Sequence, residues 1–294
     1  MTHDNRDHED TGNDTRNDNV MPKPIERGNL RLAVGSLYFS SKRFMQWYLS
    51  GTRYATNRIN RQAGAKNFPH KVAGHQSLIM RELRNVDMWM QKNKLRNLQL
   101  ATAELNGLVL RPGETMSVWR LVGRPSRRKG YLPGMVLING EMRAGYGGGL
   151  CQLSNLIYWM TLHTELTVTE RFRHQYDVFP DSNRTLPFGS GATIAYNYID
   201  LQIRNDTQHE YYLSFDVTSS HLVGEWHSTV PPRYKYEISE QNHRITQHTS
   251  GKYLRHNQIW RKRYSTEGVC VGEECVAENH AIMMYSPLLQ SSNE

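Results

Sequence analysis

Gly147-Gly148-Gly149-Leu150-Cys151-Gln152-Leu153-Ser154-Asn155 leads into an apolar run through Leu156, Ile157, Met160 and Leu162. Glycine loses more backbone freedom on folding than any other residue. Three in a row therefore need a reason, either positive φ or close approach of another group to the main chain. The apolar spacing that follows predicts a buried helix. The stretch reads as a sharp turn feeding a helix, with Cys151 at its N-terminus. The first N–H groups of a helix lack intrahelical partners. The partial positive charge there favours thiolate over thiol. Those free N–H groups of the helix would also hold the oxyanion formed when sulfur attacks a carbonyl. Two readings stay open: a nucleophilic cysteine, or a structural cysteine at a tight strand–helix contact.

A cysteine nucleophile needs a base. His174 lies in Glu170-Arg171-Phe172-Arg173-His174-Gln175-Tyr176-Asp177, just after a predicted strand over Thr167–Arg171 that returns past the helix. Asp177 or Asp181 is placed to orient the imidazole. His163, twelve residues after Cys151, falls at the far end of the helix. A zinc site of Cys151, His163 and His174 would have to straddle that helix, so no metal or cofactor is expected. Arg171 and Arg173 share strand parity, which suits fork-shaped bonding to a carboxylate or phosphate and equally suits a solvated face.

Further out, Ile79, Leu83, Val86 and Met90 mark one face of a helix predicted from Gln76. Leu98, Ala101 and Leu105 follow in slipped phase, which suggests a break near Gln91-Lys92-Asn93. Asn106-Gly107 predicts its C-terminal stop. Arg111-Pro112-Gly113-Glu114 is a turn signal. Met116–Val122 alternates loosely like a strand, and Arg124–Gly130 is a basic loop. Val136–Ile138 with Asn139-Gly140 predicts a hairpin running on through Glu141 to Gly145. Strands are predicted over Ala192–Ile203, Tyr211–Val217, Leu222–Trp226, Tyr234–Ser239, Arg244–Thr249 and Tyr253–Tyr264. The fold class is α+β: N-terminal helices, with antiparallel sheet packed around the helix that follows the Gly-Gly-Gly-x-Cys turn.

The chain of 294 residues carries 36 Lys and Arg against 28 Asp and Glu, a net charge of +8. Residues 1–24 hold six acidic and three basic residues and read as a disordered acidic tail without an export signal. Residues 25–72 are basic and rich in aromatics, with short helices. Residues 73–230 form the core domain, and 231–294 are a β extension of it. No apolar run is long enough to span a membrane, and the expected compartment is the cytoplasm. The basic balance admits a polyanionic partner, but no nucleic-acid motif accompanies it, so nucleic acid is not expected. Three cysteines do not make a disulfide framework. Cys270 and Cys275 flank an expected hairpin tip and are read as free thiols.

Residues 147–159 resemble the signature of the VanW family. The resemblance extends through Val86-Asp87-Met88, Leu105-Asn106-Gly107, Pro112-Gly113-Glu114, Val122-Gly123, Lys129-Gly130-Tyr131, Glu170-Arg171, His174–Asp181, Pro187–Thr193 and Asn197–Ile203. It implies a role in peptidoglycan metabolism and glycopeptide resistance. It also implies L,D-transpeptidase-like chemistry, in which Cys151 forms a thioester with a stem peptide and His174 is the matching histidine. On that reading Gly147, Gly148, Gly149, Gln152, Ser154, Arg171, Arg173 and Asp177 line the substrate site. The partner is a peptidoglycan stem peptide or its precursor, or another resistance protein in a non-catalytic accessory role. Secreted relatives carry Asp-Ala-Thr where this chain has Gly191-Ala192-Thr193.

Overall fold

The computed structural model describes residues 28–80, 87–138, 141–178, 185–248 and 251–285. Its elements are α1 (Asn29–Leu49), α2 (Arg61–Asn67), β1 (His70–Leu78), α3 (Met88–Leu105), β2 (Val109–Leu110), β3 (Thr115–Ser117) and α4 (Val118–Val122). There follow β4 (Pro133–Ile138), β5 (Glu141–Tyr146), α5 (Cys151–Leu162), β6 (Thr167–Glu170), β7 (Tyr176–Asp177) and β8 (Gln202–Arg204). The chain ends in β9 (Tyr211–Val217), β10 (His221–Ser228), β11 (Tyr234–Gln247), β12 (Tyr253–Ser265) and β13 (Cys270–Met283). Two compact units are distinguished, Met1–Phe39 and Ser40–Glu294. The described part of the first is the opening of α1. All other elements belong to the second.

The fold is α+β, as the sequence predicts. One sheet has the order β1-β10-β9-β2, a second β3-β8-β6, and β4 and β5 form a hairpin. In the fourth, β11-β12-β13-β7, the last pair is parallel and the others antiparallel. Strand β10 alternates, so that Leu222, Gly224, Trp226 and Ser228 point inward. Helix α5 packs on β1 and β10 and buries Leu153, Leu156, Ile157 and Met160. A Cβ on Gly224 would lie 2.8 Å from both Leu156 Cδ2 and Met160 Cε. The bare backbone there lets α5 sit down on the sheet. The Trp226 indole N–H donates to Thr161 Oγ1 at 3.2 Å, which satisfies the polar end of a fully buried ring. Helix α3 supplies Leu98, Ala101 and Leu105 to the same core. Each of these leucines contributes roughly 1.5–3 kcal/mol of apolar burial.

Several local expectations change. Gln76–Leu78 ends strand β1, and the helix begins only at Met88. Leu83 and Val86 lie outside the described residues. No break occurs at Gln91–Asn93, because α3 turns Gln91, Asn97 and Thr102 inward with its apolar residues. Asn97 is buried with partners: its Nδ2 donates to the carbonyls of Leu132 and Gly148, and its Oδ1 accepts from Leu132 N. Gly107 ends the helix with φ +84°, as predicted. Met116–Val122 is a short strand and then a helical turn capped by Ser117, whose Oγ accepts from Arg120 N at 3.1 Å. Of the predicted 192–203 strand only Gln202 and Ile203 are regular, as the start of β8. The predicted pair 234–239 and 244–249 is one strand, β11, with a bulge between Gln241 and Arg244 and Asn242 at φ 54°. The Asn139-Gly140 turn lies outside the described residues, although Ile138 and Glu141 on either side of it pair. Cys270 and Cys275 are free and share strand β13.

Candidate active site around Cys151

The glycines have both of the expected reasons. Gly147 and Gly149 have φ of +76° and +91°. A Cβ on Gly148 would lie 2.1 Å from the Gly134 carbonyl carbon, and one on Gly149 would lie 2.3 Å from Lys94 Cγ. The turn is thus pressed between β4 and α3. Its N–H groups are not free. Gly147 N donates to Leu132 O, Gly148 N to Gly145 O, Gly149 N to Met135 O and Leu150 N to Gly147 O, over 3.0–3.4 Å. Gln152 N and Leu153 N turn back to Gly149 O and Leu150 O, both at 3.0 Å. The glycines' own N–H groups are thus bonded to Leu132, Gly145 and Met135 carbonyls. Packing against Gly134 and closure of the turn consume the donors.

Cys151 is the first residue of α5. Its Sγ–H donates to the Ile194 carbonyl at 3.8 Å. Burial pushes the thiol up from its ordinary value, against smaller opposing effects from the hydrogen bonds to backbone at Ile194 and at Cys151 itself. Burial thus favours the neutral thiol, whereas the start of a helix favours the thiolate. One turn on, Ser154 is fully buried and its hydroxyl donates to Ala192 O at 2.6 Å. Asn155 Oδ1 accepts from Ala192 N at 2.7 Å. Residues 151, 154 and 155 share a helix face, and together they hold the 191–194 segment against it. Gln152 points elsewhere: its amide donates to Ser77 Oγ at 2.8 Å and Leu78 O at 3.0 Å, fixing α5 to the end of β1.

The same segment receives His174. Its backbone N–H donates to Thr193 Oγ1 at 3.1 Å, and Thr193 N donates to Phe172 O at 2.7 Å. The first candidate base and the sulfur are thus held by consecutive residues, Thr193 and Ile194. Burial, and then the charge of Arg173, lower the His174 pKa, so the ring is neutral at neutral pH. Arg171 lies just past β6, not on it. Its Nε donates to Gly191 O at 2.9 Å, its NH2 bonds Gly189 O, and its guanidinium covers the Tyr158 ring at 4.7 Å. Arg173 stacks over Phe188 at 3.8 Å. Asp177 is buried and accepts from Arg255 NH1 at 3.4 Å and from Tyr285 OH at 2.8 Å. Asp181 lies outside the described residues. His163 caps the far end of α5, its Nδ1–H donating to Trp159 O at 2.9 Å. Among the described residues, no three His, Cys, Asp or Glu side chains converge as a metal site.

Sequence reasoning missed Thr193, Ile194 and Asn155 as the residues that organise the site. Their signal lay in the i, i+3, i+4 spacing of 151, 154 and 155. It also missed a buried polar network behind β6. Glu170 bonds the Arg43 guanidinium and accepts from Gln202 Nε2 at 3.0 Å and Asp200 N at 3.1 Å. Asp200 is fully buried and accepts from Ser117 Oγ at 2.5 Å and Trp119 N at 3.0 Å. Burial raises its pKa to about 7, despite the opposing hydrogen bonds from Ser117 and Trp119.

A family model described as VanW like protein matches residues 93–227, which include the whole glycine turn, α5 and the 191–194 segment. The chain is 33% identical over 206 residues to the vancomycin B-type resistance protein VanW of Enterococcus faecalis, covering 70% of this chain and 75% of that protein. It is 29% identical over 114 residues to the uncharacterized protein YoaR of Bacillus subtilis, covering 39% and 36% of the two chains. No solved structure matches it. Among the described residues no helix is long and apolar enough to cross a membrane. With one third of positions shared over most of both chains, and a family match that includes Cys151, this chain belongs to the VanW family.

Proposed function

We propose that the protein serves glycopeptide resistance as a cysteine-dependent acyl transferase acting on peptidoglycan stem peptides or their precursors. The observation that carries this reading is the convergence of the Cys151 thiol and the His174 main chain on Ile194 and Thr193. The name of the enterococcal relative supports the resistance context. In the proposed reaction a neutral His174 accepts the thiol proton as sulfur adds to a stem-peptide carbonyl. The S–C bond forms, the C–N bond breaks, and the departing amine takes the proton. An acceptor amine then resolves the thioester and restores the thiol. Because the resting pair is neutral, proton transfer accompanies attack instead of preceding it.

Mass spectrometry after incubation with a stem peptide tests this directly. An acyl adduct on Cys151, absent from Cys151→Ala and slowed in His174→Ala, is the expected result. A Cys151→Ser variant that still confers resistance, with no adduct on the wild type, refutes it.

One observation favours a second reading, an accessory protein that binds a wall precursor or another resistance protein without chemistry. The N–H groups of the glycine turn are taken up internally and the thiol is held neutral. On that reading stem-peptide affinity is the same in wild type and Cys151→Ala.

A further inference from the structure

A basic loop packs against the glycine turn. Residues 115–140 contain five Lys and Arg and no Asp or Glu. Two of the five are used inside the fold. Arg120 lies over the rings of Tyr48 and Tyr54, and Lys129 Nζ donates to Val122 O at 3.1 Å. The other three, Arg124, Arg127 and Arg128, are exposed and meet no carboxylate among the described residues. Like charges held this close repel one another until an anion joins them.

The loop is fixed at both ends. A Cβ on Gly147 would lie 2.6 Å from Pro125 Cβ, so Pro125 is pressed on the turn that leads to Cys151. Tyr131 is 2% exposed and anchors the other end in the core. Between them Ser126 O accepts from Lys129 N at 3.1 Å and from Tyr131 N at 3.2 Å, and Arg127 O accepts from Gly130 N at 2.9 Å. The backbone beneath the three guanidiniums is therefore preorganised, which lowers the entropy lost when they grip a ligand. Arg124 also acts on the segment that holds the sulfur. Tyr196 lies two residues beyond Ile194, the acceptor of the Cys151 thiol, and its ring meets Trp119 edge-on at 5.6 Å. Burial raises the Tyr196 pKa against the opposing charge of Arg124. The start of the loop thus borders both the glycine turn and the strand-like segment past Ile194.

A carboxylate is matched by one guanidinium in a two-pronged pair. Three uncompensated guanidiniums on one short loop match a group with several anionic oxygens. A nucleic-acid backbone would need a track of cations longer than this loop. We infer that Arg124, Arg127 and Arg128 bind the diphosphate of an activated donor at the Cys151 site, so that the substrate is a diphosphate-linked precursor and not a free stem peptide. The inference rests on the acyl-transfer reading for what the bound molecule does, and its first test reads binding without chemistry.

Calorimetry on the full chain with inorganic pyrophosphate measures the shared chemistry. Uridine diphosphate and farnesyl diphosphate then distinguish a nucleotide-linked from a prenyl-linked source. Pyrophosphate binding that weakens with added salt is expected, with tighter binding of one of the two esters. The affinity should fall about tenfold or more in Arg127→Ala/Arg128→Ala and further when Arg124→Ala is added. All three positions are exposed, so far-ultraviolet circular dichroism and the melting curve should match wild type. Cys151→Ala should bind pyrophosphate as wild type does, so this measurement stands even where no acyl adduct forms. Wild type that binds none of the three diphosphates overturns the inference, even if a free stem peptide acylates Cys151. So does binding that survives loss of all three guanidiniums. So does tighter binding of single-stranded RNA than of either ester, because a phosphate backbone would then be the occupant. In the second test a stem peptide bearing a diphosphate should acylate Cys151 about tenfold faster than the free peptide, an advantage lost in the triple variant. Equal rates for the two donors overturn the inference and leave the acyl-transfer reading in place.

Discussion

The Cys151 thiol donates to the Ile194 carbonyl across 3.8 Å in surroundings that hold the sulfur neutral. Cys270 and Cys275, by contrast, are exposed. Alkylation by iodoacetamide near pH 7 should therefore label Cys270 and Cys275 first. Cys151 should react only as pH rises above its ordinary thiol value of 9.0 or when the protein is unfolded. Peptide mapping over a pH series gives the order directly. Preferential labelling of Cys151 at neutral pH would show that its surroundings do not hold the thiol neutral.

Gly148→Ala places a Cβ 2.1 Å from the Gly134 carbonyl carbon, against main chain that has nowhere to move without opening the β4–β5 hairpin. A loss of more than about 3 kcal/mol is expected. Gly113→Ala is a useful comparison, because its Cβ would meet nothing and only the φ of +75° opposes it. That variant should lose about 1 kcal/mol. Urea denaturation of the pair separates contact from conformational strain.

Asp200 gives stability a distinctive pH dependence. The folded carboxyl keeps its proton up to about 7, whereas the unfolded one releases it near 3.8. Between those values the folded state binds more protons, so stability falls as pH rises through the window and levels off above it. The change amounts to a few kcal/mol. Asp200→Asn keeps an acceptor for Trp119 N and stays neutral throughout. Its unfolding free energy should lack this step when both proteins are titrated with denaturant from pH 4 to pH 8.

Asp177 and Arg255 form a buried pair, with side chains 4% and 6% exposed. Arg255→Ala leaves that carboxylate without its guanidinium, and a destabilisation of about 3–5 kcal/mol is expected. Arg204→Ala breaks an exposed pair with Asp206 and should change stability by less than about 1 kcal/mol. Equal effects of the two substitutions in chemical denaturation would contradict the burial of the first pair.

The α+β class, α5 and strands β9, β10 and β12 could be read from the sequence because each carries its own period or punctuation. Leu222, Gly224, Trp226 and Ser228 alternate, and Gly147–Gly149 announce the helix. What could not be read depended on distant partners. Gln76–Leu78 joins a strand because it pairs with His221–Val223, more than one hundred residues later. Residues 192–201 look like a strand by composition, yet their backbone bonds to Phe172 and, through Ser154 and Asn155, to α5. The chemistry of Cys151 followed the same rule. Its place at a helix start was visible, whereas the protein packed around the sulfur was not. Gly191 is a further instance: a Cβ there would lie 2.6 Å from Asn155 Oδ1, so the amide of α5 occupies the space beside a missing side chain.

Ile282 and Met283 of β13 run parallel to Tyr176 and Asp177, two and three residues beyond His174, and the Tyr285 hydroxyl holds the Asp177 carboxylate. The last strand therefore works as a clasp on the polypeptide that carries the histidine. Trimming the protein upstream of Ala281 would release that clasp, and a bulky fusion placed directly after Tyr285 would strain it.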